Sequence, residues 1–131
     1  MTNPRINPTR ELFGILGSVE KISDEMSWWN KQFAQKGMDA ALSRYPTTAD
    51  TLPERLSEMF HFDRRGYIVG KGLTEAIISL LDGLDASAIE KGSVDTVLNT
   101  NGVMTGYFCG NDRQKRWGIW LVTRSVSSDS C

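Results

Sequence analysis

The chain has 131 residues, of which 40% are hydrophobic and 24% are charged, and its formal net charge is −1 at pH 7. This length and composition predict one soluble globular domain, residues 1–131, that buries a core without a disulfide or a metal. Because basic and acidic residues are balanced along the chain, the sequence does not favour nucleic acid or an anionic membrane surface as a partner.

Targeting signals and cysteine content indicate the cellular compartment in which the protein is expected. No apolar run approaches the roughly 18 residues that a membrane span needs, and the first residues, Met1 to Arg5, lack the apolar region of a secretory signal. Two cysteines and one histidine make neither a disulfide framework nor a zinc site. We therefore expect a cytoplasmic protein without metal or cofactor, in which residues 1–7 and 125–131 are frayed.

Apolar residues at helical spacing dominate the first part of the chain. They follow a helix start signal at Pro8 and Thr9 and stop at Gly37. The stripe consists of Leu12, Ile15, Leu16, Val19, Ile22, Met26, Trp29 and Phe33. This spacing predicts either one helix over residues 9–36 or two helices, the second of which is capped by Ser23.

Two shorter helices are predicted next. Residues 38–45 carry Met38, Ala41, Leu42 and Tyr45 on one face, and Pro46 stops that helix because the residue before a proline avoids the α region. Residues 51–54 read as a capping box. The helix that this box begins has an apolar stripe made of Leu52, Leu56, Met59 and Phe60.

The middle of the chain reads as short elements separated by glycines. Residues 67–69 are apolar and can form a strand. Residues 74–81 have the apolar spacing of a helix, and residues 87–90 offer one more helical turn that ends at Gly92.

The Asn-Gly pair at residues 101–102 predicts a two-residue hairpin, because a type I′ turn needs positive φ at both central positions. This turn places Thr100 opposite Val103 and Thr96 opposite Tyr107. The sequence therefore predicts two antiparallel strands with a defined register.

A polar loop over residues 111–115 predicts a second hairpin and a third strand. Closing it at hairpin length places Phe108 opposite Gly118 and Trp120 opposite Gly106. Each strand glycine then has an aromatic cover, a known way of stabilising glycine in a sheet.

Helices first and a meander last predict an α+β fold, in which N-terminal helices pack on one face of a C-terminal antiparallel sheet of three to four strands. Tyr107, Trp117 and Ile119 are expected to face the helices. The opposite face is also rich in apolar side chains, and it carries Asp95, Val97, Met104, Phe108 and Trp120. A solvated face does not need Met104, Phe108, Trp120 and Val122 in its middle, so we expect a remaining helix, a second copy in a homodimer, another protein or a ligand to cover it.

Trp28 is a further candidate for a binding surface. It lies about 100° from the apolar stripe of the predicted helix. An off-stripe tryptophan either packs against another helix or acts as an interface anchor.

Candidate catalytic residues all have a stronger structural interpretation. His61 and Asp63 could exchange protons, but their aromatic neighbours favour a packing role. Cys109 could pair with His61 as a nucleophile, yet the register places it on the core face, where thiols are inert. The glycines and lysine of residues 66–74 could hold a phosphate, but their spacing is not that of a P-loop.

These observations favour a non-enzymatic protein-binding module: a small cytoplasmic inhibitor, a toxin-neutralising immunity protein or a secretion chaperone. The partner would be another protein, bound through six residues: Trp28, Asp95, Val97, Met104, Phe108 and Trp120. The alternative is a small-molecule enzyme or binder with an apolar pocket between helices and a curved sheet, as in the architecture of nuclear-transport-factor-2-like proteins. In that case His61, Asp63 or Asp95 would supply acid–base chemistry at the mouth of the pocket.

Overall fold

Strands and helices alternate along the described part of the chain. The computed structural model describes residues 11–61, 65–100, 102–110 and 112–122, so the two ends that were expected to fray lie outside the described residues. In chain order the elements are β1 (Glu11–Leu16), α1 (Ile22–Gln35), β2 (Ala40–Tyr45), α2 (Leu52–His61), β3 (Gly66–Val69), a 3-10 turn (Ile78–Leu80), β4 (Gly83–Leu84), α3 (Ala86–Lys91), β5 (Thr96–Thr100), β6 (Val103–Tyr107), α4 (Arg113–Trp117) and a π-helical segment (Gly118–Val122).

The six strands form one mixed sheet in the order β2-β1-β3-β5-β6-β4. β1 pairs in parallel with both β2 and β3, and β4 pairs in parallel with β6. The β3–β5 and β5–β6 pairs are antiparallel. The predicted α+β fold is therefore wrong, because the chain has an α/β architecture whose helices are interleaved with the strands.

β1 replaces the start of the predicted N-terminal helix. Phe13, Ile15 and Leu16 are each at most 1% exposed, because β1 lies between two strands and is covered on both faces. A strand buried in this way reads as a continuous apolar run, which periodicity cannot distinguish from a helix. The helical pattern holds only from Ile22, and α1 ends shortly before Gly37, as expected.

Apolar clusters cover both faces of the sheet. On one face Phe13 and Ile15 of β1 pack with α1 and the C-terminal helical segments. On the other face Leu16 packs with α2, α3 and the 3-10 turn. Adjacent residues of β1 thus enter opposite cores, as the pleat of a strand requires.

β2 takes the place of the short helix that was predicted over residues 38–45. It forms an edge of the sheet and pairs along its whole length with β1. The Asn30 side chain of α1 holds β2 from the side, since its Nδ2 donates to the Leu42 carbonyl at 3.1 Å and its Oδ1 accepts from the Leu42 amide at 2.9 Å. The α-helical spacing of this segment therefore does not decide its structure; pairing with β1 does.

The predicted third strand of the meander is also wrong, because residues 113–122 are helical. The Asp112 carboxylate accepts a hydrogen bond from the Lys115 amide at 3.0 Å and so caps α4. Trp120 is fully buried, and its indole donates to the Val97 carbonyl at 3.1 Å. Its ring fills the space beside Gly66, not beside Gly106 as predicted.

Several local predictions are confirmed. β5 and β6 pair with Thr96 opposite Tyr107 and Thr100 opposite Val103. The apolar piece at residues 67–69 is part of β3, and the predicted helical turn is α3, which ends at Gly92 with φ 69°. Residues 74–81 form turns and a 3-10 helix in place of the predicted α-helix.

The second sheet face is covered by the chain itself. Val97 and Met104 are buried in the cluster that contains Leu73, Ile77 and Ala88. Neither a homodimer nor a protein partner is needed to bury this face. Within the described residues, no helix has the length and apolar character to cross a membrane.

The burial of Leu16 gives a test of the fold. Leu16→Ala is expected to lower the free energy of unfolding by about 2–5 kcal/mol, because it removes a fully buried side chain and leaves a cavity. Urea unfolding measures this change. The control is Ile89→Ala on α3, where the side chain is 65% exposed, and there the change should stay within about 0.5 kcal/mol. A Leu16→Ala loss no larger than that of the control would contradict the buried position of β1.

Candidate functional site

A cleft opens where the loops after β1 and β3 leave the sheet. The chain passes from β1 to β2 on one side and later returns to β3 on the other side, so the strand order reverses between β1 and β3. In open α/β sheets, ligands bind outside the carboxyl ends of the strands at such a reversal. The topology therefore predicts a ligand-binding site at the carboxyl ends of β1 and β3.

Backbone hydrogen bonds join the two loops. The Gly70 amide donates to the Leu16 carbonyl at 2.8 Å, and the Lys71 amide donates to the Ser18 carbonyl at 3.0 Å. A Cβ on Gly70 would lie 2.5 Å from the Ser18 carbonyl oxygen and 2.6 Å from the Ser18 nitrogen. Only glycine permits this approach, so Gly70 holds together the two loops that contribute to the cleft.

The cleft has a volume of about 1240 Å³. Its walls come from the first turns of α1, the loop after β3, the residues before β5 and the segment from the end of β6 into α4. Charged side chains of both signs line it: Glu20, Lys21, Asp24, Glu25, Lys31, Lys71, Asp95, Asp112, Arg113 and Arg116. Trp28 and Phe108 add aromatic surface. Such a lining suits a polar small molecule better than an apolar one.

Glu25 is the centre of one charged group in the wall. Its Oε1 accepts from Arg113 Nη2 at 2.8 Å and from Arg113 Nε at 3.2 Å. Its Oε2 accepts from the Trp29 indole at 2.8 Å and lies 4.0 Å from Arg116 Nη1. These contacts connect α1 to α4 across the cleft wall.

Asp95 organises the opposite part of the wall. Its Oδ1 accepts from the Cys109 amide and its Oδ2 from the Gly110 amide, both at 2.8 Å. Arg116 Nη2 lies 3.5 Å from Oδ1, and Arg116 Nε donates to the Thr96 hydroxyl at 2.7 Å. Arg116 is 4% exposed and so bridges Glu25 and Asp95 from inside the protein.

The protonation of these groups follows from their partners. Burial by itself raises the pKa of Glu25, but hydrogen bonds from Arg113 and Trp29 and the charges of Arg113 and Arg116 outweigh it, so the pKa lies below its ordinary value. Burial raises the pKa of the Cys109 thiol, which therefore stays protonated and unreactive at neutral pH. Glu25 is thus a fixed anion, and the wall holds structure instead of exchanging protons.

The six predicted binding residues divide into two groups. Trp28, Asp95 and Phe108 line the cleft together. Val97, Met104 and Trp120 are at most 6% exposed and belong to the cores, where no partner can reach them in the folded chain. The described residues contain no group of three or more metal-ligating side chains.

Other candidates from the sequence lie elsewhere. Asp63 and the His61 side chain fall outside the described part of the structure. Residues 66–74 do contribute Lys71, Gly72 and Thr74 to the cleft, although their glycines are explained by the contact between the loops. Sequence reasoning missed Arg113 and Lys31. Two buried apolar runs, each followed directly by a glycine and polar residues, were the available signal for the site.

Comparison with known proteins gives a consistent result. No family model matches the chain. It is 32% identical over 125 residues, 95% of its length, to shikimate dehydrogenase (NADP(+)) of Alkaliphilus metalliredigens, and 27% identical over 103 residues to that of Streptococcus sanguinis. It covers 43% and 36% of those proteins, so it spans less than half the length of the curated relatives it matches.

Solved structures agree with the sequence comparison. Shikimate 5-dehydrogenase from Listeria monocytogenes, in complex with shikimate and NAD, superposes with a TM-score of 0.72 at 27% identity, over 81% of this chain and 37% of that chain. The enzyme from Aquifex aeolicus superposes with a TM-score of 0.71 at 28% identity, over 78% and 38%. The sheet of this chain is therefore the Rossmann-like α/β fold of these enzymes.

These comparisons overturn the expected non-enzymatic protein-binding module. The relatives and solved structures named above are shikimate dehydrogenases, not inhibitors, immunity proteins or secretion chaperones. The expectation that another protein is the partner fails for the same reason, because the relatives act on small molecules. The alternative of a small-molecule enzyme agrees better with these relatives, although the nuclear-transport-factor-2-like architecture expected with it is not the fold observed.

Gly70 offers a test of the loop junction. Gly70→Ala should destabilise the protein by about 1–3 kcal/mol, because the added methyl group meets backbone atoms that cannot rotate away. Gly118→Ala is the control, since its Cβ would meet nothing within 4 Å and its backbone is already helical. Thermal unfolding of both variants measures the difference. Equal midpoints would show that the loops are not in contact.

Glu25 predicts a pH dependence of stability. Because its pKa is lower in the folded protein than in the unfolded chain, it stabilises the fold at neutral pH, and this contribution disappears as the pH falls below the ordinary value of 4.5 towards the lowered one. Glu25→Gln should therefore cost stability at pH 7 and progressively less below pH 4.5. Melting temperatures of wild type and Glu25→Gln across this range test the trend, with exposed Glu90→Gln as the control. A gap that stayed constant with pH would contradict the assignment.

Proposed function

We propose that this chain forms the substrate-binding part of an oxidoreductase and that the cleft binds shikimate or a similar cyclic hydroxy acid. The observation that carries the proposal is the position of the cleft at the reversal of strand order between β1 and β3. The choice of shikimate is supported by the likeness to shikimate dehydrogenases. The polar and charged lining of the cleft supports a ligand that has several hydroxyl groups and a charge.

The walls of the cleft can orient such a molecule without moving. Asp95 is held by two backbone amides, and Glu25 is held by two arginines and an indole. Fixed charged groups bind a polar ligand with little loss of side-chain freedom. In this proposal the chain binds and orients the hydroxy acid.

The residues at the strand–helix turn do not fit a dinucleotide. A pyrophosphate is held at a helix N-terminus by glycines and unshielded amides. The turn between β1 and α1 carries Glu20, and the first turn of α1 carries Asp24; both are exposed, and their charges repel a pyrophosphate. The spacing G-x-G-x-x-G does not occur anywhere in the sequence. These residues therefore do not fit a dinucleotide at the turn between β1 and α1.

An NMR titration of the isotopically labelled protein with shikimate tests the proposal. Shikimate should bind saturably and shift the amide resonances of Gly72 and Gly110 at the cleft. Ile89 lies on the exposed face of α3 and is the internal control, so its amide resonance should not shift. NADP(+) at the same concentration should leave the amides of Glu20 and Asp24 unchanged.

Two results would contradict the proposal. Shikimate that leaves every cleft amide unmoved would remove it as a ligand, and shifts confined to another surface would remove the cleft as the site. The cytoplasmic location expected from the sequence stays a prediction.

A further inference from the structure

One ion pair in the cleft wall exposes its cation more than its anion. In the pair between Arg113 and Glu25, the arginine side chain is 35% exposed and the carboxylate is 14% exposed. Both side chains line the cleft, and the guanidinium is the more exposed member of the pair. The side chain of Arg116, which also lies in this wall, is 5% exposed and contacts Asp95, Thr96 and Glu25.

The geometry of Arg113 leaves one edge of its guanidinium for a ligand. Glu25 Oε1 contacts Nε at 3.2 Å and Nη2 at 2.8 Å, which is the side edge of the group. Nη1 has no hydrogen-bond partner among the described residues. The end edge, formed by Nη1 and Nη2, can therefore receive both oxygens of a second carboxylate, since arginine binds carboxylates in this two-pronged manner.

The position of the guanidinium is fixed before a ligand arrives. The central guanidinium carbon, Cζ of Arg113, lies 4.9 Å from the centre of the Trp28 ring, which packs against one face of the guanidinium. Glu25, the partner at its side edge, is held in turn by the Trp29 indole. An arginine ordered in this way loses little freedom when it binds an anion.

The other cations of the cleft are less suited to this role. Lys71 is 79% exposed and lies 3.8 Å from Glu20, whose side chain is 81% exposed. Such an exposed pair is loosely held and screened by solvent. Lys31 is exposed on α1, so it can add positive potential but not a planar receptor.

We propose that Arg113 is the anchor for the carboxylate of the substrate and makes this cleft select a hydroxy acid over a neutral polyol of the same shape. The inference rests on the proposed function, which supplies the cyclic hydroxy acid. It adds a specificity-determining residue that acts through direct contact with the ligand. It also explains why α4 is tied to α1: the Glu25 contact aims the guanidinium at the cleft.

Paired ligands test the anchor. Calorimetric titration compares shikimate with its methyl ester, which keeps the ring and hydroxyl groups but loses the negative charge. The wild type should bind the acid about 10- to 100-fold more tightly than the ester, the range for a charged hydrogen-bonded pair. Arg113→Gln should abolish this preference and leave ester binding within about 3-fold, because the ester makes no ion pair.

Two further variants keep the result interpretable. Arg113→Lys keeps the charge and the pair with Glu25 but lacks the two-pronged edge, so it should retain the fold and only part of the preference. Arg44→Gln, which removes an exposed arginine from β2 outside the cleft, should bind both ligands as the wild type does.

The outcomes distinguish a failure of the Arg113 anchor from a failure of the proposed function. Failure of the wild type to bind either ligand would overturn the proposed function and the anchor with it. Binding of acid and ester with equal affinity by the wild type would overturn the anchor alone. An unchanged preference in Arg113→Gln or Arg113→Lys, with the fold intact by circular dichroism, would also overturn it.

Discussion

The burial of β1 on both faces and both edges is the constraint on which this structure depends. A strand with parallel neighbours on each side must have its connections cross the faces of the sheet, and the helices of those connections then cover it. α1 covers one face because it lies between β1 and β2. β3 then joins the free side of β1, and the strand order reverses there. The cleft is a direct consequence, because the loops after β1 and β3 leave the sheet in different directions.

Backbone hydrogen bonds fix the position of these two loops, whose neighbouring residues line the cleft. Gly70 lies against Leu16 and Ser18, so the geometry there does not depend on the rotamer of any side chain. The walls are built differently. They consist of charged side chains that lock one another, with Arg116 buried between Glu25 and Asp95. A buried arginine with two acidic partners has its charge balanced, which a lone buried cation would not.

Likeness to shikimate dehydrogenases explains the fold and limits the function. The chain matches less than half the length of those enzymes, and its strand–helix turn is acidic. The proposed site is one for a small molecule, and the exposed acidic residues of the turn between β1 and α1 do not fit a dinucleotide. The chemical class of the ligand then depends on the cleft wall, where the ion pair between Arg113 and Glu25 exposes its positive member.

Short-range features of the fold could be predicted from the sequence. The Asn-Gly turn and the register of β5 with β6 follow from local backbone preferences, and so does the end of α3 at Gly92. The helix that begins at Leu52 also follows from its apolar spacing. In each case the residues that decide the structure are neighbours in the chain, so periodicity and turn chemistry suffice.

Only the tertiary structure decided the architecture and the site. The apolar run before Gly17 has helical spacing, and it is a strand because β2 and β3, distant in sequence, pair with it. The polar loop over residues 111–115 suggests a hairpin followed by a strand, but residues 113–122 are helical, and Trp120 packs beside Gly66 in β3. The cleft likewise joins α1, β3, β5 and α4 through contacts such as that between Glu25 and Arg113, which are 88 residues apart. Its residues could not be grouped from the sequence, because long-range pairing depends on a strand order that local patterns do not encode.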